Sequence, residues 1–403
     1  MHLRGLGWGI LLAAVSLTVA LGVFGVGHGG VAGTNLDMRF LYLAGVAWRE
    51  GLSAYAHAPR GIVDPWLSDA LTGYDFAYPP QIAPLCLLLG TWSPAGARIV
   101  MTVLNVTAAA LLAAVCVRFA RTPERPEHTA APDSSSWLVP ALVIGNFSTA
   151  FVIWAGQTTL IATLALMLGW DLARRDRWLL GGVLLAISTI KPQLSFLVML
   201  WLVLERRWRV LATIGAGVLV LAAVPIAISG PVGVITEWSA AAMRYAAGPY
   251  NTLGSRMIFG LGNVLAITGI ATSFLLPVGM LVVGCLWYYR TSLADEDLLA
   301  LLVGLSILFG YSHSYDIAAL MPLVPAFWRH VHSRVVPSLF ALALFLVVTL
   351  PNSLLEPYVS PLLLQLRVAA LLAALCWLMA LSVKRIAPGA GVAPEGGMTP
   401  YEV

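Results

Sequence analysis

The stretch "GQTTLIATLALMLGWDLARRDRWLLGGVLLAISTIKPQLSFL", residues 156–197, decides the fold. Two largely apolar runs flank the basic cluster "RRDR" at 174–177, and the second closes on Lys191 before a further apolar run begins. About 20 apolar residues in helical form cover ~30 Å of hydrocarbon. In lipid only helices and closed barrels satisfy their own backbone groups, so apolar runs joined by short polar breaks read as membrane helices.

Outward from this stretch the same pattern fills the chain. Of 403 residues, 59% are hydrophobic and only 10% charged, and the mean hydropathy is +0.86, values that exclude a water-soluble globular domain. Basic residues gather at the ends of apolar runs, at Arg4, Arg118 to Arg125, 174–177, "ERRWR" at 205–209, Arg290, Arg329 with Arg334, and Lys384 with Arg385. Placed inside by the positive-inside rule, they predict twelve spans. These fall near 6–26, 97–119, 137–154, 158–173, 178–190, 193–204, 209–228, 270–289, 298–311, 316–328, 335–350 and 361–383. The segments 79–92 and 256–269 are too short or too broken to cross and are read as interfacial. The first apolar run is longer than a signal-peptide core, so it is read as an uncleaved helix.

The expectation is therefore an all-α polytopic membrane protein. One domain covers 1–385, the stretch 119–136 is a cytoplasmic linker, and 386–403 is a flexible cytoplasmic tail. Cys86, Cys116, Cys285 and Cys376 are scattered through apolar segments without a CxxC spacing, which predicts neither disulfides nor a zinc site. The basic clusters are accounted for by topology and anionic membrane lipid, and no nucleic-acid partner is expected.

With the basic clusters inside, the outer face holds a long loop at 27–96, the turns "WAGQTT" and "TIKPQ", a loop at 229–256, "GYSHSYD" and "PNSLLEPYVS". In the first loop, Leu36, Phe40, Leu43 and Ala47 recur at helical spacing, predicting a juxtamembrane helix over 36–50 capped by Thr34 or Asn35. Asp37 then falls in its first turn, where the helix dipole favours an ionised carboxylate. It reads either as a helix-stabilising acid or as a proton acceptor for a substrate arriving in the membrane plane. Lys191 is one of only two lysines. It can snorkel to headgroups, cap helix carbonyls, or hold the phosphate of a lipid-linked substrate as a point charge. His313 reads as an interfacial hydrogen-bonding residue, or as a member of a cationic cluster with Lys191 and Arg256 facing Asp37. Gln157 and Tyr78 alone read as a helix cap and a helix start. Asp64, Asp69 and Asp75 match no metal loop. Trp48, Tyr55, Trp66 and Tyr74 suit interfacial anchoring or sugar stacking.

Taken in order, "LDMRFLYLAGVAWREGLSAY", "FAYPPQIAPL", the Gly-Gln and Lys-Pro of 156–197, and "SHSYD" resemble the polyprenyl-phosphate-sugar-dependent glycosyltransferases of the GT-C type, most closely glycosyltransferase family 87. The resemblance implies a GT-C bundle with juxtamembrane helices in its extracytoplasmic first loop. It also implies inverting sugar transfer at the outer leaflet of a bacterial plasma membrane, from a polyprenyl monophosphate sugar to a hydroxyl of a glycolipid or envelope glycan. No nucleotide sugar, cofactor or metal is implied. Mannose is the commonest donor sugar in such families, and arabinofuranose is the alternative. By the same resemblance Asp37 is expected as general base and Lys191 and His313 as donor-phosphate contacts; Arg256 is added on charge and position. Tyr78, Gln157, Tyr315 and Asp316 are weaker substrate-binding candidates. The rival classes are a lipid or sugar transporter, against which no internal repeat is evident and the polar candidates fall on one side rather than at the midplane, and a non-catalytic membrane scaffold, which leaves the Asp, Lys and His unexplained as a set.

Overall fold

The computed structural model describes residues 13–18, 35–56, 59, 64, 66, 67, 70, 76–121, 137–249, 251–270, 272, 274–331, 335–350 and 360–383. Of the expected span 6–26 only 13–18, which is helical, is among them. Thr34, Asp69, Tyr74, Asp75, nearly all of the linker 119–136, the loop 351–359 and the tail 386–403 lie outside the described residues.

The apolar runs become helices that pack on one another. Pro94–Arg121, 28 residues and about 42 Å long at 1.5 Å per residue, is a spine against which Leu138–Ile144, Thr159–Arg174 and Leu323–Val331 lie. Asp295–Phe309 is apolar all round beyond its first turn, and every residue from Asp297 to Leu308 is buried, as a helix surrounded by helices requires. Pro192–Leu204, Leu275–Tyr288 and Leu366–Val383 pack around it.

The expected juxtamembrane helix is present as Met38–Arg49. Its buried stripe includes Leu43 and Ala47, with Phe40 partly buried beside it. Asp37 takes the N-cap position expected of Thr34 or Asn35, without a side-chain cap bond. This helix crosses Ala83–Gly90 at backbone contact: a Cβ on Gly45 would stand 1.8 Å from the Cys86 carbonyl oxygen, and one on Gly90 would stand 2.7 Å from the Gly45 carbonyl carbon. Only glycine at both positions permits that approach.

Among the described residues three helices are long and apolar enough to cross a membrane singly: Pro94–Arg121, Ala223–Ala247 and Leu366–Val383. The pair Leu138–Ile144 and Phe147–Ala155, bent by 42°, makes a fourth if read as one span. Several other expected spans appear as shorter apolar helices, such as Trp178–Ser188, Pro192–Leu204 and Trp208–Leu221. The polytopic helical character therefore holds, while the separate lengths do not establish a count of twelve.

Two local differences stand out. The region 229–256, expected as a loop, is helical to Ala247, because Gly230 (φ 72°) breaks the chain direction and Pro231 sits in the first turn of a restarted helix. The all-α expectation also meets a small exception: Ile258–Phe259 and Ser312–His313 form a two-residue antiparallel ladder, pairing Ile258 with His313 and Phe259 with Ser312.

Arginine–carboxylate networks gather at one end of the bundle. There Arg118 pairs with Asp171, Arg174 with Glu205 and Asp295, and Arg329 with Glu296 and Asp297. Thr159, the first residue of Thr159–Arg174, lies at the opposite end, about 23 Å along the helix axis.

Candidate functional site

The end opposite the arginine clusters is built by turns that the sequence specifies locally. Asn146 caps Phe147–Ala155 by accepting the Thr149 N–H at 2.9 Å, and Gly156 ends the helix in the left-handed region at φ 69°. A Cβ on Gly156 would meet Asn35 Oδ1 at 2.7 Å and Met38 Cβ at 2.8 Å. The same turn holds the start of the juxtamembrane helix, since Asn35 N–H donates to the Trp154 carbonyl and Asp37 N–H to the Ala155 carbonyl at 3.0 Å. Gln157 is thereby delivered to Asp37: its Nε2 donates to Asp37 Oδ2 at 2.5 Å, and the Tyr78 hydroxyl donates to Gln157 Oε1.

Burial governs the Asp37 carboxyl and raises it above its ordinary value. The Gln157 hydrogen bond and the charges of Lys191 and Arg39 pull the other way without cancelling the effect. The helix-start placement is as the sequence predicts; the expected dominance of the helix dipole is not.

Lys191 precedes Pro192, the first residue of Pro192–Leu204, and its backbone is non-helical, as a residue before proline prefers. Its side chain is 4% exposed, which removes the snorkelling alternative. The ammonium donates to Asp316 Oδ1 at 2.8 Å and lies 4.5 Å from the Tyr315 ring centre. Asp316 is fully buried and is an assembly point: Oδ1 also accepts the Thr159 hydroxyl at 2.9 Å, while Oδ2 accepts the His313 backbone N–H at 3.1 Å and Gln193 Nε2 at 3.3 Å. Its acceptor positions are thus engaged by the protein, which suits organising Lys191 and His313 better than direct substrate contact.

His313 stacks on Tyr315, rings 4.9 Å apart and inclined by 8°. Its Nε2 lies 3.2 Å from the Tyr245 hydroxyl and 3.5 Å from that of Tyr311. Burial holds its pKa down to about 4, with the opposing pull of the Asp316 carboxylate outweighed and Lys191 acting in the same direction as burial. The imidazole is neutral at pH 7. Lys191 in turn is matched by Asp316, so the site differs electrostatically from a cluster of uncompensated cations.

These groups surround a cavity of about 300 Å³ lined by Asp37, Tyr78, Gln157, Lys191, Tyr315 and, from the helix Ala223–Ala247, Trp238, Ala242, Tyr245 and Ala246. Tyr78, Gln157, Lys191, Asp37 and Tyr315 thus come together, with His313 and Asp316 directly behind. Arg256 does not line the cavity; it is exposed, two residues before the Ile258 that pairs with His313. Asp64 Oδ1 accepts the Trp66 N–H at 2.8 Å. Among the described residues no group of three or more His, Cys, Asp and Glu side chains is placed to hold a metal ion.

Thr159, Gln193, Trp238 and Tyr245 were not legible as site residues. Thr159 and Gln193 stand two positions from Gln157 and Lys191 in the same short motifs. Trp238, Ala242, Tyr245 and Ala246 recur at helical spacing, a signal masked by reading 229–256 as a loop.

No curated protein matches the chain. The profile of glycosyltransferase family 87 matches residues 76–311, a segment that holds Tyr78, Gln157, Lys191 and Arg256, begins after Asp37 and ends two residues before His313. With more than half of its length matched and a helical, membrane-type architecture around the cavity, this chain belongs to glycosyltransferase family 87, a GT-C type family of membrane glycosyltransferases.

Proposed function

We propose that the protein transfers a sugar, mannose in the first instance, from a polyprenyl monophosphate carrier to a hydroxyl of an envelope glycolipid or glycan, with inversion at the anomeric carbon. The observation that carries this reading is that a half-buried carboxylate, Asp37, and a buried ammonium, Lys191, line one cavity. In this mechanism the acceptor oxygen forms the new bond to the anomeric carbon while the bond from that carbon to the phosphate oxygen breaks. The electron pair leaves with the phosphate, and the hydroxyl proton passes to Asp37.

Negative charge grows on the departing phosphate, so Lys191 and the hydrogen-bonding group of His313, Tyr245 and Tyr311 are assigned to that side. Arg256, exposed on the approach to Ile258, is assigned to the outer rim as a long-range attraction for the donor anion. Burial that lifts the Asp37 carboxyl makes it a stronger base toward the acidifying hydroxyl. Tyr78 and Trp238 in the cavity wall supply aromatic surface on which a sugar ring can pack.

The orientation proposed is periplasmic for the cavity, in a bacterial plasma membrane. Its support is the concentration of Arg174, Arg175, Arg177, Arg206, Arg207 and Arg209 in two short turns remote from the cavity, to which the positive-inside rule gives a direction. A bundle of about twelve spans remains the proposed topology. The test incubates purified protein with polyprenyl-phosphate-mannose and a panel of envelope glycolipids and follows the mass increment of one hexose. Transfer that Asp37→Asn abolishes is the expected result. A product formed at the wild-type rate by Asp37→Asn overturns the base assignment, and transfer from the arabinofuranose donor alone replaces the sugar.

A further inference from the structure

We propose that Gln157 is a positioning residue for the Asp37 carboxylate: its side-chain amide, held at its other end by the Tyr78 hydroxyl, occupies Oδ2 and leaves Oδ1 to receive the acceptor's proton. The inference rests on the assignment of Asp37 as base. It differs from the expectation of substrate binding by Gln157, because the amide oxygen and one N–H are already engaged by protein groups.

The geometry is over-determined from both sides. A carboxylate accepts and cannot donate, so it selects the NH2 end of the amide; the Tyr78 hydroxyl donates to the remaining oxygen. Flipping the amide would turn its oxygen toward Asp37, placing two acceptors against each other. Gln157 is 3% exposed and its backbone N–H donates to the Val152 carbonyl at 3.1 Å, so the side chain starts from a fixed point. Tyr78 is anchored as well, its carbonyl accepting the Tyr55 hydroxyl at 3.0 Å. The chain Tyr55, Tyr78, Gln157, Asp37 therefore links the first loop to the turn after Phe147–Ala155. A reacting group held in this way needs no reorganisation when the acceptor arrives.

The test has a readout that requires no sugar donor. The full chain in lipid nanodiscs is titrated by infrared difference spectroscopy, and the Asp37 carboxyl band is identified by its loss in Asp37→Asn. Removing a hydrogen bond to a charged acceptor in Gln157→Ala is expected to move the Asp37 midpoint upward by about one to two pH units. Tyr78→Phe, which releases the far end of the amide, is expected to move it the same way by less. Gln157→Glu keeps the side chain's size in case the smaller variant folds poorly, and is expected to raise the upper midpoint of the carboxyl pair further, since two acids then share one site.

With polyprenyl-phosphate-mannose and a glycolipid acceptor, Gln157→Ala is expected to lower kcat by roughly 10- to 100-fold, with both KM values changed by less than about threefold. An unmoved Asp37 midpoint, or a loss confined to KM, overturns the proposal. Full turnover by Asp37→Asn would instead remove the base assignment, an outcome visible apart from the titration.

Discussion

Lys191 and Asp316 form a buried ion pair whose removal should separate folding from chemistry. Lys191→Met leaves a carboxylate with no exposure and no counter-charge, though the Thr159 hydroxyl, the Gln193 amide and the His313 N–H still donate to it. Removing one partner of a buried pair costs about 3–5 kcal/mol, and these remaining donors place the loss near the lower bound, about 3 kcal/mol. Asp316→Asn strands the ammonium instead and should cost a similar amount, about 3 kcal/mol. The double variant Lys191→Met/Asp316→Asn carries no unbalanced charge and keeps an acceptor for Thr159. Its total loss should be about 3 kcal/mol rather than the ~6 kcal/mol of the two singles added, a coupling of about 3 kcal/mol. Equilibrium unfolding in mixed micelles, followed by tryptophan fluorescence, measures all three. A coupling below about 1 kcal/mol would refute the view that the pair acts as a desolvated unit. The double variant should be no less stable than either single yet transfer no sugar; normal transfer would remove Lys191 from the donor-phosphate side.

Three further outcomes are expected. Asp37 acts only when deprotonated and burial raises its pKa, so kcat/KM for transfer should fall with decreasing pH on a limb above the ordinary carboxylate value of 3.8. With His313 at about 4, the same profile should show no step near the ordinary histidine value of 6.5; a step there would contradict the neutral imidazole. Gly156→Ala forces a side chain into the left-handed region against Asn35 and Met38, and should destabilise by about 2–4 kcal/mol while displacing Gln157 from Asp37. Wild-type stability in that variant would mean the turn relaxes. Arg329→Met leaves Asp297, 1% exposed, with His330 and Ser382 as its side-chain partners among the described residues. It should cost about 3–5 kcal/mol in unfolding experiments without changing KM, since this network is at the end remote from the cavity.

The sequence by itself determined that this is a helical membrane protein, because apolar runs and basic breaks reflect the solvent each segment meets, a property that needs no knowledge of neighbours. It also located Asp37, Lys191 and His313 as polar residues in places where polar residues are costly, and the family is shown by the segment 76–311, which holds Lys191. Folding alone decided what each of those residues touches. That Lys191 is buried against Asp316, that His313 is neutral, and that Gln157 reaches Asp37 all depend on contacts between residues 68 to 125 positions apart in the chain. Desolvation and hydrogen bonding are set by everything that surrounds a group, and local spacing says little about that. The wall formed by Trp238 and Tyr245 was hidden for a related reason. A glycine and a proline mark a break in sequence, but only the packing of Ala223–Ala247 shows that the helix resumes and turns those aromatic side chains into the cavity.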